Sequence, residues 1–343
     1  MFTPRVPDRE AGEESAVQQV ALGSGAQALV RAGLDCAGPP VGGQGDGLGS
    51  GSGDGSSGGQ LALRTGVFVV DPPFFGNGDV GRAAVCGVVN ELAATGAEPL
   101  RVALGVIVEA GLPVRLLRRL VRSIREAARE AGVAIAAVDT EVVRAGEADQ
   151  VFVTATAFGL HRRPAPRPTA LRPGDRIVVT GPLGDHAAHL LTLRGAPGLE
   201  QYVDSDCAPL GGLLATVLPR PRYAAAIGGG GLAAVLDSCA AARGLTLRIT
   251  RAALPVRHQT RIALGLQGLD PLRAGCAGSL CLFVPPEHVT AVLRRLRAHP
   301  QGRLAADIGE VTDRPLPAVE LLGADGAVHP LDRPRAPGPV RLR

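Results

Sequence analysis

Short apolar runs alternate with stretches of helical spacing along most of the chain, and glycine or proline marks nearly every change. The clearest stretch is 69–99, VVDPPFFGNGDVGRAAVCGVVNELAATGAEP. Val67 to Val70 read as a buried strand, and Asp71-Pro72-Pro73 stops it because proline donates no backbone N–H. Gly76-Asn77-Gly78 turns the chain and Asp79 suits an N-cap. Helical spacing then runs from Val80 to Thr95, and Gly96 closes it. Downstream, the pattern predicts a strand over Leu100 to Glu109, a long amphipathic helix over Val114 to Ala131, a buried strand from Val133 to Val138 that ends at Asp139-Thr140, and another strand from Val151 to Gly159.

The proline- and arginine-rich stretch 161–172 reads as a link between two domains, 21–160 and 173–331. The second opens with a strand over Arg176 to Thr180, a turn over Gly181 to Asp185 and a helix. Helices near 210–218, 230–243, 255–265 and 287–298 alternate there with strands near 245–250, 279–284 and 306–311, so both domains read as α+β. Gly23-Ser24-Gly25 precedes a helix of about two turns. The polar, proline-broken 1–20 reads as a disordered N-terminus, the Gly/Ser/Asp-rich 37–59 as a flexible loop, and 332–343 as a tail.

A length of 343 residues is ample for two cores. Aromatic residues are 3% of the chain and Trp is absent, which removes the stacking platforms that single-stranded nucleic acid needs. The net charge is only +4, and no Lys occurs, so any lysine-dependent step must use another residue or be missing. Arg115, Arg118, Arg119, Arg122 and Arg125 lie on one helix whose Leu and Val residues fit a buried face, which makes them a solvated face rather than a nucleic-acid site. The six cysteines form no C-x-x-C pair. Cys86 and Cys239 sit in helical patterns and read as core, Cys207 lies in a polar turn open to other uses, and Cys276 with Cys281 makes a poor metal site. With neither a signal-peptide core nor a membrane-length apolar run, the expectation is a cytoplasmic protein.

The stretch 69–99, Gly23-Ser24-Gly25, VDTEVV at 138–143, GPLGDHA at 181–187, SDCAPL at 205–210 and ALPV at 253–256 together resemble the HypE family of hydrogenase maturation factors, in the PurM/AIR synthetase-like superfamily. The resemblance implies a two-domain PurM-like fold, with a strand-rich, dimerising N-terminal domain and an α/β sandwich as the C-terminal domain. It further implies ATP between the domains and Mg²⁺ held by carboxylates, since a triphosphate needs a hard cation and hard oxygen ligands. Carried onto this sequence, the ATP and phosphate candidates are Gly23, Ser24, Gly25, Asp71, Asn90, Thr140, Gly184 and Asp185, and the metal candidates are Glu91 and Asp139.

The same comparison shows departures at the chemistry. Thr65-Gly66 stands where the family has Thr-Asp, Asn90-Glu91 where it has Asn-Asp, and Asp139-Thr140-Glu141 where it has Asp-Thr-Lys. The string Arg-Asp-x-Thr-Arg-Gly-Gly falls on 225–231, AAIGGGG, and Ala-Asn-Glu-Gly falls on Gly275-Cys276-Ala277-Gly278. The family's carbamoyl-accepting cysteine near the C-terminus has no counterpart, since no Cys follows Cys281. The expectation is a HypE-like protein that has lost carbamoyl-dehydratase chemistry, binds ATP and Mg²⁺ weakly or not at all, and acts as a binding or scaffold partner. Its implied partners are a second copy or an active HypE-like paralogue, and HypF, HypC or HypD; nucleic acid and membrane are excluded. An active ATP-dependent dehydratase with rearranged ligands and a nucleotide-sensing module are the alternatives.

Overall fold

A computed structural model of the chain describes residues 24–34, 59–163, 165–195, 203–323 and 325–331. The N-terminus expected to be disordered, the loop 37–59 apart from Gly59, and the tail 332–343 lie outside the described residues.

The first half contains α1 (Ser24–Leu34), β1 (Gln60–Phe68), a short hairpin β2 (Phe74–Phe75) and β3 (Gly78–Asp79), α2 (Val80–Ala94), β4 (Glu98–Glu109), α3 (Val114–Ala131), β5 (Ala134–Val143) and β6 (Val151–His161). Its four-stranded sheet has the order β1-β6-β4-β5; the first two neighbouring pairs are antiparallel, and β4 and β5 run parallel through the α3 crossover. α2 and α3 cover one face. Phe68, Val102, Leu104, Val106, Val153 and Ala155 point into that core with Val85, Val88, Leu120 and Ile124. Leu61, Leu63, Val67 and Ile107 alternate to the other face and are exposed.

The second half contains β7 (Arg176–Val179), α4 (Asp185–Gly195), α5 (Gly211–Val217), β8 (Tyr223–Ala226), α6 (Gly231–Arg243), β9 (Thr246–Thr250), α7 (His258–Gly265), β10 (Leu280–Val284), α8 (Val289–Arg297), β11 (Ala306–Val311), β12 (Ala318–Leu322) and β13 (Val328–Pro330). The seven-stranded sheet has the order β13-β12-β9-β11-β7-β10-β8. β10 is buried along its whole length because its two faces feed different cores: Cys281 and Phe283 pack with α6, whereas Leu280, Leu282 and Val284 pack with α5 and α8. Helices on both faces make this half an α/β sandwich, so the expected two-domain mixed α and β architecture is present.

Three expected elements differ. The run Val67 to Val70 is not a buried strand: the strand is Gln60–Phe68, its faces alternate, and Val67 is 63% exposed. A contiguous apolar run hides which of its members share a face, and only pairing with β6 reveals it. The strand from Val133 does not end at Asp139-Thr140; it continues to Val143 because β4 supplies partners as far as Glu109. α1 has eleven residues, three turns rather than two. Tyr223-Ala-Ala-Ala226 carries no strand pattern of its own and becomes β8 by pairing with β10.

Candidate functional site

The two domains meet along α2. Asp79 caps this helix, accepting the Arg82 N–H at 3.0 Å, and eleven of the helix residues from Val80 to Ala94 besides Asn90 are buried. Arg82, Gly87 and Glu91 are left partly open, and the helix reaches the second domain through its Arg82 and Asn90 side chains. There the segment 203–210 lies against the helix. Arg82 donates through Nε to the Cys207 carbonyl at 3.1 Å and grips the Glu130 carboxylate of α3 with its other nitrogens. Two turns on, the Asn90 amide donates to the Ala208 carbonyl at 2.9 Å and accepts the Leu210 N–H at 2.7 Å. Asn77, in the β2–β3 turn, makes the same two-way contact with Ser205, at 2.8 and 3.1 Å.

A small cleft opens beside this joint. One wall is α2, through Ala83, Gly87, Asn90 and Glu91; the other is the segment Ala226 to Gly229; His186, Cys276, Ala277 and Ser279 line the remainder. Asp206 stands next to it. Its two carboxylate oxygens accept the N–H groups of Ala277 and Gly278, each at 3.0 Å. Gly278 is required there, since a Cβ would lie 1.7 Å from the Asp206 carbonyl oxygen. Burial pushes the Asp206 carboxyl up to about 6 against those two N–H groups, and nearby Asp185 adds to the rise. Burial also raises Asp185, which accepts Thr260 Oγ1 at 2.5 Å and pairs with Arg257 at 3.0 Å.

His186 is buried and its imidazole is held down to about 4, by burial first and by neighbouring His189 second, so it is neutral at physiological pH. Its Nδ1 lies 2.7 Å from Ser205 Oγ. His189 Nδ1 is 2.6 Å from the Val203 carbonyl, an acceptor only, so that nitrogen carries the proton. Phe75 at the hairpin tip meets both rings edge-on, with centroids at 5.5 and 5.8 Å.

Of the candidates drawn from the sequence, the cleft gathers Asn90 and Glu91. Asn90 spends its amide on the 208–210 backbone. Asp71 is ion-paired with Arg194 at 3.1 Å, a link between the domains. Gly184 adopts φ +80°, wedges against Leu264 and Ala274, and donates its N–H to Cys276 Sγ at 3.3 Å. Thr140 is buried, and its carbonyl accepts the Gln27 amide at 2.8 Å. Asp139, opposite Gly105, lies on the face of the first sheet away from α2, so one chain does not bring it to Glu91. Gly25 is exposed on α1; Gly23 and the Ser24 side chain lie outside the described residues. Among the described residues, no three His, Cys, Asp or Glu side chains group closely enough to hold a metal ion by themselves. Cys207, expected to be open to other uses, lies in the first core, and its hydrogen bond with the Cys86 thiol, and burial after it, push its own thiol well above the usual range. Sequence reasoning passed over Asp206 and His186, although both lie inside strings already noted, SDCAPL and GPLGDHA.

Comparison with known proteins bears on what this cleft belongs to. The model of the AIR synthase related protein N-terminal domain matches residues 54–161, and that of the C-terminal domain matches 172–321. The carbamoyl dehydratase HypE of Azotobacter vinelandii is 40% identical over 261 residues, covering 74% of this chain and 75% of that protein. The chain belongs to the HypE family. Escherichia coli HypE is 39% identical over 288 residues, 82% of this chain and 84% of its own, and its crystal structure superposes with a TM-score of 0.82 over 93% of this chain and 99% of that one. A crystal structure of a HypE in complex with ATP has a TM-score of 0.82 at 33% identity, covering 92% of this chain and 95% of that one. That of a HypE–HypF complex has a TM-score of 0.76 at 32% identity, covering 80% and 90%.

Two substitutions test the joint. Asn90→Ala strands a partly buried carbonyl and a buried N–H, and is expected to lower stability by about 2–4 kcal/mol in urea unfolding. Asp79 is 1% exposed and burial raises its carboxyl to about 6 from 3.8. The folded state therefore binds the proton more tightly, and the contribution of this group is present below pH 4 and lost as pH rises through 6. Asp79→Asn keeps a capping oxygen and removes the charge, so its stability relative to the parent should climb between pH 4 and 7, by up to roughly 3 kcal/mol. A flat difference across that range would show that Asp79 does not titrate this way.

Proposed function

We propose that this HypE-family chain serves hydrogenase maturation as a binding or scaffold partner and has lost the carbamoyl-dehydratase reaction. The observation that carries this reading is the charge of the cleft. Glu91 is the one charged residue lining it, His186 is neutral, and no arginine reaches its walls among the described residues. ATP carries several negative charges, and a wall offering a carboxylate and no cation offsets none of them. Mg²⁺ could neutralise part of that charge, with Glu91 as its nearest hard ligand, but Asp139 would have to come from another chain. Weak or absent MgATP binding follows. HypF is the proposed partner, since a related HypE was crystallised with HypF; HypC and HypD are further candidates in the same cytoplasmic pathway.

The exposed face of the first sheet supports a second proposed contact. Leu61 is 65% exposed, Leu63 50% and Val67 63%, an apolar set along β1, whose other face is already core. A second HypE-type chain, identical or a catalytically active paralogue, covers this face in the proposed assembly.

The test is a thermal melt with MgATP against Mg²⁺ alone, run beside a HypE known to bind ATP. At a hundredfold excess over Kd a bound ligand adds roughly 2.7 kcal/mol; the expected result for this chain is no MgATP-specific shift at millimolar nucleotide, together with retention of HypF on the immobilised chain. A shift accompanied by phosphate release would overturn the reading in favour of an ATP-dependent dehydratase, and a shift without release would make the chain a nucleotide sensor. For the sheet face, Leu61→Glu with Leu63→Glu should weaken self-association about tenfold or more in sedimentation. An unchanged sedimentation profile, or a monomeric parent that no HypE-type paralogue binds, would remove that proposal.

A further inference from the structure

α3 turns a stripe of arginines to solvent. Arg115, Arg118, Arg122, Arg125 and Arg129 follow one another at steps of three and four, so they share one side of the helix over about 21 Å of its axis. All five are exposed, while Leu117, Leu120, Val121, Ile124 and Ala128 fill the core side. Arg125 donates to the Gly33 carbonyl and so fastens the end of α1 to the middle of α3. Arg118 and Arg122, one turn apart, make no hydrogen bond or ion pair among the described residues. Of the two acids on the helix, Glu130 is held by Arg82 and also feels Arg129, and Glu126 is the other. Arg118 and Arg122 are like charges spaced at i and i+4 and repel, so an acidic cover on this pair is favourable.

The chain itself supplies one. Asp8, Glu10, Glu13 and Glu14 fall within seven residues, with Arg9 the single base among them. They precede α1, which lies along α3: Gly33 packs on Val121, and Gln27 reaches the Thr140 carbonyl near the C-terminal end of β5. β5 ends where α3 begins, because β4 and β5 run parallel and pair Glu109 with Val143. α1 therefore starts beside the N-terminal half of α3. From Glu14 to Ser24 an extended chain reaches about 33 Å, more than the length of the stripe. Other stretches outside the described residues match less well. Residues 332–343 carry four Arg against one Asp, and 35–58 spread three Asp over their whole length.

We propose that the acidic stretch 8–14 docks in cis on the arginine stripe of α3, centred on Arg118 and Arg122. It covers a face that would otherwise attract unrelated polyanions, and it tethers the chain leading into Gly23-Ser24-Gly25 against the N-terminal domain. The test places a benzophenone amino acid at Gly12 in the full-length chain, with cross-links mapped by mass spectrometry after illumination. Intrachain cross-links to α3 near Arg118 and Arg122 are expected. Their yield should fall about tenfold in an Arg118→Glu/Arg122→Glu variant, and similarly in a Glu10→Gln/Glu13→Gln/Glu14→Gln variant that leaves the described domains untouched. High salt should lower it as well. Cross-links to another part of the chain, cross-links to a second copy, or a yield indifferent to both variants and to salt would each overturn the proposal.

Discussion

One side-chain amide holds the candidate site together. Asn90 is 3% exposed, sits about three turns from the Asp79 cap, and satisfies a carbonyl and an N–H two residues apart on the segment 203–210. An amide can do this because it is both donor and acceptor; a carboxylate at the same place could accept from Leu210 but would face the Ala208 carbonyl with no proton to give. Arg82 and Asn77 extend the same seam toward Ser205. With 203–210 fixed, Asp206 is placed to accept two N–H groups from Ala277 and Gly278, and that contact in turn fixes the floor of the cleft. The site is therefore a property of the domain joint and not of either domain.

The joint is built around titratable groups whose neutral forms burial favours. Burial raises Asp79 and Asp206 to about 6 and lowers His186 to about 4. The signs oppose one another. Each raised carboxyl favours the folded state as pH falls toward its ordinary value, whereas the depressed imidazole costs stability as pH falls from 6.5 through 4. The seam thus has no single acid trigger. Near neutral pH a carboxyl at about 6 is mostly ionised, so Asp206 adds negative charge beside the cleft while His186 stays neutral.

The helices were legible because they carry their own signals. α2 begins at Val80 after an acidic cap, and α3 spans Val114–Ala131 between Pro113 and a left-handed Gly132, the limits its periodicity gives. Strands were harder, because their faces are set by partners distant in sequence. Val67 looked buried and is not, and β8 has no pattern until β10 pairs with it. In the site, Glu91 and Asn90 were found through resemblance and do line the cleft. Asp206 was missed because nothing in Ser205-Asp206-Cys207 says that its carboxylate folds back onto N–H groups some seventy residues later.

The residues that carried the family resemblance divide by what holds them. Asn90, Gly184, Asp185 and Gly278 each answer to a packing or hydrogen-bonding demand that exists without any ligand: a clamp, a φ of +80°, a Thr–Arg cradle and a close backbone approach. Gly231 belongs with them, since its φ is +67° and a Cβ would meet the Leu272 carbonyl at 2.5 Å. The positions that departed from the family, Ala226 to Gly229 and Cys276-Ala277, are among those that face the cleft. Side chains facing open space can change with little effect on folding, while those sealing the joint cannot. A chain can therefore keep every string that identifies its architecture while the chemistry between those strings changes, and for this family a motif match reports the fold before it reports the reaction.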